Sequence, residues 1–218
     1  MFRQMLYTQW KWSRLSVLLL ALAAFAVPPL SVQSLGDPTV ARWQIQTILT
    51  GVQSWGLIYP LLAGMAGLVL ALTSWAPDHA GRHVYALSLP LPRWEYVLLR
   101  FGAGALLLTA VTTGVLLGAL VAIATIALPP GLRTFPFALT LRFGLAAFVA
   151  YGAFFAISAG TNRTAGYILG TLGGLVLAQV IASAAGADAN FLLSTLERLF
   201  LWPGPLEVFT GRWMLVDV

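Results

Sequence analysis

The sequence contains no cysteine and a single lysine, and only 9% of its 218 residues are charged. Without cysteine there can be no disulfide, no thiolate metal site and no cysteine nucleophile. Soluble domains are about one quarter charged, so a polar solvated surface is excluded. No dense run of Lys and Arg occurs, which argues against nucleic acid as a partner despite the net charge of +5. Histidine is nearly absent. His79 and His83 stand four apart and could share a helix face near Asp78, but a zinc ion needs further ligands and Asp78 points elsewhere. Solvated or partner-facing imidazoles are therefore expected, with no metal site.

What is present is apolar length. The chain is 59% hydrophobic with a mean hydropathy of +0.86, the composition of an all-α polytopic helical membrane protein forming one membrane domain. Five spans are expected, at 15–32, 53–75, 97–128, 137–160 and 165–185. The segment 1–14 alternates aromatic and basic residues, and Phe2, Leu6 and Trp10 share a helical face. It reads as an N-terminal amphipathic helix lying in the interface. Pro28 and Pro29 should kink or end the first span. Ala24-Phe25-Ala26 resembles a signal-peptidase site, but the leading segment is long and aromatic for a signal peptide. Tail residues 186–218 contain no apolar run long enough to span.

Seven basic and two acidic residues fall on the side of the N-terminus, against five and five on the other, which accounts for the net charge of +5. The basic excess places the N-terminus in the cytoplasm. Trp10, Trp12, Trp55, Tyr59, Trp75, Trp94 and Tyr96 fall at predicted span ends, as an interfacial belt requires.

Polar groups within the spans are few. Thr109, Thr112, Thr113, Thr125 and Thr171 should bond to their own helix backbones. Gln179 is the only amide well inside a span, and could cross-link helices or line a substrate path. Arg142 should snorkel outward. Ser158 and Ser183 have no basic neighbour and neither histidine lies in a span, so no catalytic machinery is expected. Gly114 and Gly118, and then Gly166, Gly170 and Gly174, recur at a spacing that lets helices approach closely. The latter three mark a helix-packing face.

The longest charged interruption between apolar runs is the loop 76–96. Pro77 suits the first position of a helix and Asp78 its first turn. Asp78 and Arg82 are four apart and can pair. Ala80, Val84 and Leu87 share an apolar face, and Pro90 and Pro92 end the pattern. The loop thus reads as a short, stiff amphipathic helix. The inner turn of the next span, which contains Arg100, should project into the cytoplasm.

The run Leu87-Ser-Leu-Pro-Leu-Pro-Arg-Trp-Glu-Tyr-Val-Leu-Leu-Arg100 resembles the loop joining the second and third spans in permease subunits of the type-two ABC exporter class. Asp78 occupies the acidic place of that pattern, Leu87 to Pro90 the leucine–proline place, Arg93 the arginine place and Arg100 the basic place. The resemblance implies a permease in the cell (inner) membrane, paired with a second copy or a related permease. It also implies a cytoplasmic ATP-binding subunit contacting Asp78, Arg82, Val84, Leu87, Pro90 and Arg93. The chain has no phosphate-binding Gly-rich loop, so ATP and magnesium would belong to that partner and this chain would not be an enzyme. Such permeases have six spans with both termini inside. Here 186–218 is either an extracytoplasmic tail or the start of a sixth span. A non-transporting membrane scaffold within a larger complex is the alternative.

Overall fold

A computed structural model describes residues 1–33, 49, 53–80, 92–126, 131–160, 162–184 and 191–217. Its elements are α1 (Phe2–Gln33), α2 (Ile58–Ala80), α3 (Arg93–Thr125), β1 (Arg133–Thr134), α4 (Pro136–Ser158), α5 (Asn162–Ala184), α6 (Phe191–Phe200), a 3-10 turn (Glu207–Phe209) and β2 (Val216–Asp217). Among the described residues, four helices are long and apolar enough to cross a membrane: α1, α2, α3 and α4. The protein is therefore all-helical in character and membrane-embedded. Helix α5 has 23 residues, and its apolar stretch among the described residues is Gly173–Ala182.

The chain divides into two units, Met1–Phe155 with Arg212–Val218, and Ala156–Gly211. In the first unit α1 and α3 run parallel, with α2 and α4 antiparallel to them. The end where α1 and α3 begin and α2 stops is the loop end. The opposite end, where α4 begins, is the tail end.

Many of the buried positions in the first unit are small residues, while many leucines face outward, although Tyr59, Leu70, Phe143 and Tyr151 are also fully buried. On α1, Ser13, Val17, Ala24, Val27 and Ser31 are buried, while Leu15, Leu18, Leu19 and Leu22 are exposed. On α4, Ala146, Ala147 and Ala150 are buried, while Leu141, Leu145 and Phe148 are exposed. In water this pattern would be inside out. In lipid, which solvates leucine as well as a protein core does, helices associate through close van der Waals contact between small residues.

The closest approaches are made by glycine. A Cβ on Gly118 would lie 2.1 Å from the carbonyl oxygen of Phe25, and one on Gly114 would lie 2.6 Å from that of Ala21. Gly114 and Gly118 of α3 thus seat directly on the backbone of α1. Pro29, lacking an N–H, leaves the Phe25 carbonyl without its usual helical donor, and the cleft opened by Gly118 is where that carbonyl sits. A Cβ on Gly67 of α2 would lie 2.5 Å from the backbone nitrogen of Tyr151 on α4.

Helix α1 is continuous over 32 residues, about 48 Å at 1.5 Å per residue and so longer than a hydrocarbon core of about 30 Å. Residues 2–14, expected as an interfacial helix of their own, form its first turns. The helix also runs on past Pro28 and Pro29 to Gln33, instead of ending there. The Ser31 hydroxyl donates to the Pro28 carbonyl at 2.7 Å, which helps to hold this last turn.

At the tail end, residues 212–217 form no helix start. They return to the first unit as an extended segment. Val216 pairs with Thr134 and Asp217 with Arg133 in an antiparallel two-stranded sheet. Gly131, at φ 108, makes the turn into β1 that a side chain would oppose. Trp213 is buried and stacks on Tyr59 with centroids 6.4 Å apart. The guanidinium of Arg142 lies 4.9 Å from the Trp213 ring centre and donates to the Arg212 carbonyl at 2.8 Å. Arg142 is thus held by the tail. In the second unit, the Leu206 N–H donates to the Leu199 carbonyl at 2.9 Å, closing the end of α6.

Two substitutions check this packing. Gly118→Ala should destabilise the detergent-solubilised protein by about 1–3 kcal/mol, the usual cost of overpacking, while Gly152→Ala, facing open space, should be neutral. Trp213→Ala should cost about 3 kcal/mol through loss of a buried indole. Thermal unfolding followed by fluorescence would measure each.

Candidate functional site: a buried ion pair at the base of the loop

Polar side chains converge at the loop end. The residues Ser74 and Asp78 of α2 are one turn apart on one face, as are Tyr96 and Arg100 of α3 and Gln9 and Ser13 of α1. These faces meet. Asp78 is 2% exposed and Arg100 9%. The Arg100 Nη1 donates to both Asp78 Oδ2 and the Tyr96 hydroxyl. The Tyr96 hydroxyl lies 2.9 Å from Asp78 Oδ2 and 3.0 Å from Oδ1, and donates its one proton to that carboxylate. Arg100 Nε donates to the Ser74 carbonyl at 2.5 Å. The guanidinium carbon lies 5.2 Å from the Trp75 ring centre and 5.3 Å from that of Tyr96, so two aromatic faces share the desolvated cation.

The cluster extends to the other helices. Gln9 Nε2 donates to the Ser74 hydroxyl, which donates to the Leu70 carbonyl at 2.7 Å. The Tyr151 hydroxyl of α4 donates to the Phe101 carbonyl at 3.2 Å and lies 3.4 Å from Ser74 Oγ. Gly104 makes the room: a Cβ there would lie 2.1 Å from the Tyr151 oxygen and 2.7 Å from Gln9 Nε2. Gln9 Oε1 makes no hydrogen bond among the described residues. Beside this polar layer, Phe101 packs against Phe148, Tyr151 and Phe155 at centroid distances of 5.6, 5.1 and 5.3 Å. The Trp75 indole donates to the Phe155 carbonyl at 3.2 Å, filling a position that the end of α4 leaves open.

Two expectations are corrected. Pro77 and Asp78 lie in the last turn of α2, not at the start of a loop helix. Asp78 continues the helical register of α2, and Arg100 neutralises its charge. Arg100 is buried against Asp78, and does not project into solvent, because a cation on that face meets the only carboxylate that α2 offers.

Of the other expected site residues, Arg93 is exposed at the first turn of α3. Arg82, Val84, Leu87 and Pro90 lie outside the described residues, and with them the Asp78–Arg82 pair. Gln179 is half-buried on α5 and has a partner of its own. A Cβ on Gly170 or Gly174 would meet nothing within 4 Å. The surroundings of Gly166 also lie outside the described residues. Thr109, Thr112, Thr113, Thr125 and Thr171 each donate to a carbonyl of their own helix, as expected. Sequence reasoning missed Tyr96, Ser74, Gln9 and Tyr151 as site residues. The available signal was the i, i+4 pairing of polar residues on three separate helices at one end.

The arrangement holds charge without offering a reactive group: carboxylate, guanidinium and phenol are each engaged by another. Its chemistry is that of a clamp between the end of α2 and the start of α3. Comparison with protein-family models, with curated proteins and with solved structures finds no match to this chain.

Removing one partner strands the other charge. Arg100→Met should destabilise the protein by about 3–5 kcal/mol. Adding Asp78→Asn should recover part of that loss, and a double-mutant cycle on unfolding would read the coupling. Additive single effects would mean that the two charges do not interact.

Proposed function

We propose that this chain is the non-catalytic, membrane-spanning permease subunit of an ATP-driven exporter of the type-two ABC class. It lies in the cell (inner) membrane with its N-terminus cytoplasmic, and it is driven by a separate ATP-binding subunit that holds ATP and magnesium. Two permease copies, or this chain and a related one, enclose the substrate path. The exposed Gly170 and Gly174, with Gly166 on the same helix, suit such a contact, and Gln179 is its candidate polar lining.

The observation that carries this reading is the clamp at the base of the loop. Force applied to a loop moves helices only if the loop's two ends are fixed to them and to each other. Asp78 and Arg100 bracket residues 79–99, and their ion pair ties both ends into one buried cluster. In this arrangement Asp78 holds the loop, while Arg82, Val84, Leu87, Pro90 and Arg93 form the surface that meets the ATPase. The resemblance of the 87–100 run supports the same assignment.

A non-transporting scaffold subunit is the second reading. It draws on the hydroxyls of Thr109, Thr112, Thr113, Thr125 and Thr171, each turned back onto its own helix. The two differ in what binds the loop. Val84→Asp with Leu87→Asp should lower recovery of the ATP-binding subunit by about ten-fold or more, as loss of a central apolar contact does. Assembly and transport should fall together in affinity purification and reconstituted uptake assays. Undiminished recovery with full transport refutes the coupling role, and a native assembly free of any ATPase favours the scaffold.

A further inference from the structure

The first turns of α1 carry a second feature, independent of the reading above. Arg3, Tyr7, Trp10 and Arg14 follow at spacings of four, three and four, which keeps them on one strip of the helix, and Lys11 borders it. All five are exposed; Tyr7 is 68% exposed and Trp10 37%. Gln9 and Ser13, about a third of a turn round the helix from the strip, are buried against the bundle, which fixes the rotation of the helix and leaves the strip exposed. No acidic residue occurs anywhere in α1. Among the described residues, none of the three cations meets a carboxylate: Asp78 is committed to Arg100, and Asp217 lies by Arg212.

The axial position of the strip is equally constrained. The apolar run begins at Leu15 with an exposed leucine ladder, so Lys11 and Arg14 stand at the boundary of the hydrocarbon, at headgroup depth. Trp10 and Trp12 are placed where indoles prefer the interface. A strip of cations at this depth, without counter-charges of its own, is complementary to lipid phosphate. Net anionic headgroups satisfy it better than zwitterionic ones, whose choline carries a compensating positive charge.

We infer that Arg3, Lys11 and Arg14, flanked by Tyr7 and Trp10, form a binding strip for anionic phospholipid headgroups along α1. The cations take the phosphate oxygens and the rings pack beside the glycerol and upper acyl chain.

The full-length protein would be placed in vesicles of phosphatidylcholine carrying a minor fraction of phosphatidylglycerol. It would then be extracted mildly, and the retained lipid counted by native mass spectrometry. Wild type should retain phosphatidylglycerol over phosphatidylcholine by about a hundred-fold, since each of the three cations near a headgroup contributes roughly a five-fold preference. The Lys11→Gln/Arg14→Gln variant, which keeps Arg3, should fall to about five-fold. A charge-matched control, Arg133→Gln/Arg198→Gln, should keep the wild-type ratio. Both variants alter exposed side chains, so folding is preserved, and thermal unfolding in the same detergent checks it. Equal retention in wild type and the Lys11/Arg14 variant overturns the inference, as does loss of enrichment in the control alone. Displacement of the lipid by millimolar inorganic phosphate would identify a soluble-anion site and overturn it as well. An acidic protein occupant would appear as wild type with no lipid preference.

Discussion

The structure depends on a charge pair that has been taken out of water. Desolvating a carboxylate and a guanidinium is costly, and the cost is recovered only where geometry and extra hydrogen bonds are good. Here Arg100 finds two oxygen partners and a backbone carbonyl besides two aromatic faces. Asp78 receives the Tyr96 proton in addition. The pair cannot slide without stranding a charge, so it fixes the register of α2 against α3. It does so at the point where packing alone would leave two helix ends free to splay.

Among the described residues no second buried ion pair occurs. Lipid removes the hydrophobic drive between helices, so stability must come from shape. Gly114 and Gly118 let α3 touch the α1 backbone, and Gly67 does the same between α2 and α4. These contacts fix distance well and sliding poorly, because a groove of small residues is smooth along its length. Polar clamp and small-residue groove are therefore complementary constraints. The tail end has its own answer in Trp213, held between Tyr59 and Arg142.

Much of this was legible in the sequence. Apolar length located the four helices long enough to span, because a bilayer demands such runs whatever the tertiary fold; the fifth expected span, 165–185, falls on α5, whose apolar stretch among the described residues is only Gly173–Ala182. The threonines could be read as self-satisfied, because that bond is local. Arg100 could not be read as buried, because its burial depends on which face of α3 meets α2. Asp78 was misassigned for the same reason: Pro77 suits a helix start, yet it lies inside α2, continuous with the second span. The return of residues 212–217 to β1 is a pairing across more than eighty residues and leaves no local periodicity. The Gly114 and Gly118 contact was visible as spacing, but spacing cannot distinguish an intramolecular face from the open one carrying Gly170 and Gly174.

The clamp also bears on how a load on the loop would spread. Ser74 accepts from Gln9 and lies beside Tyr151, so the α2–α3 junction is tied to α1 and α4 within one connected layer. A push on the 79–99 segment would be felt by four helices together, not by two. On the proposed reading this is what a coupling loop requires: a stiff attachment that turns a local displacement into rotation of a whole bundle. A scaffold has no such need, since a static contact can rest on a flexible loop at no loss. The energy invested in burying two charges at the one place where they join the loop's ends is thus easier to account for in a subunit that is moved than in one that is merely occupied.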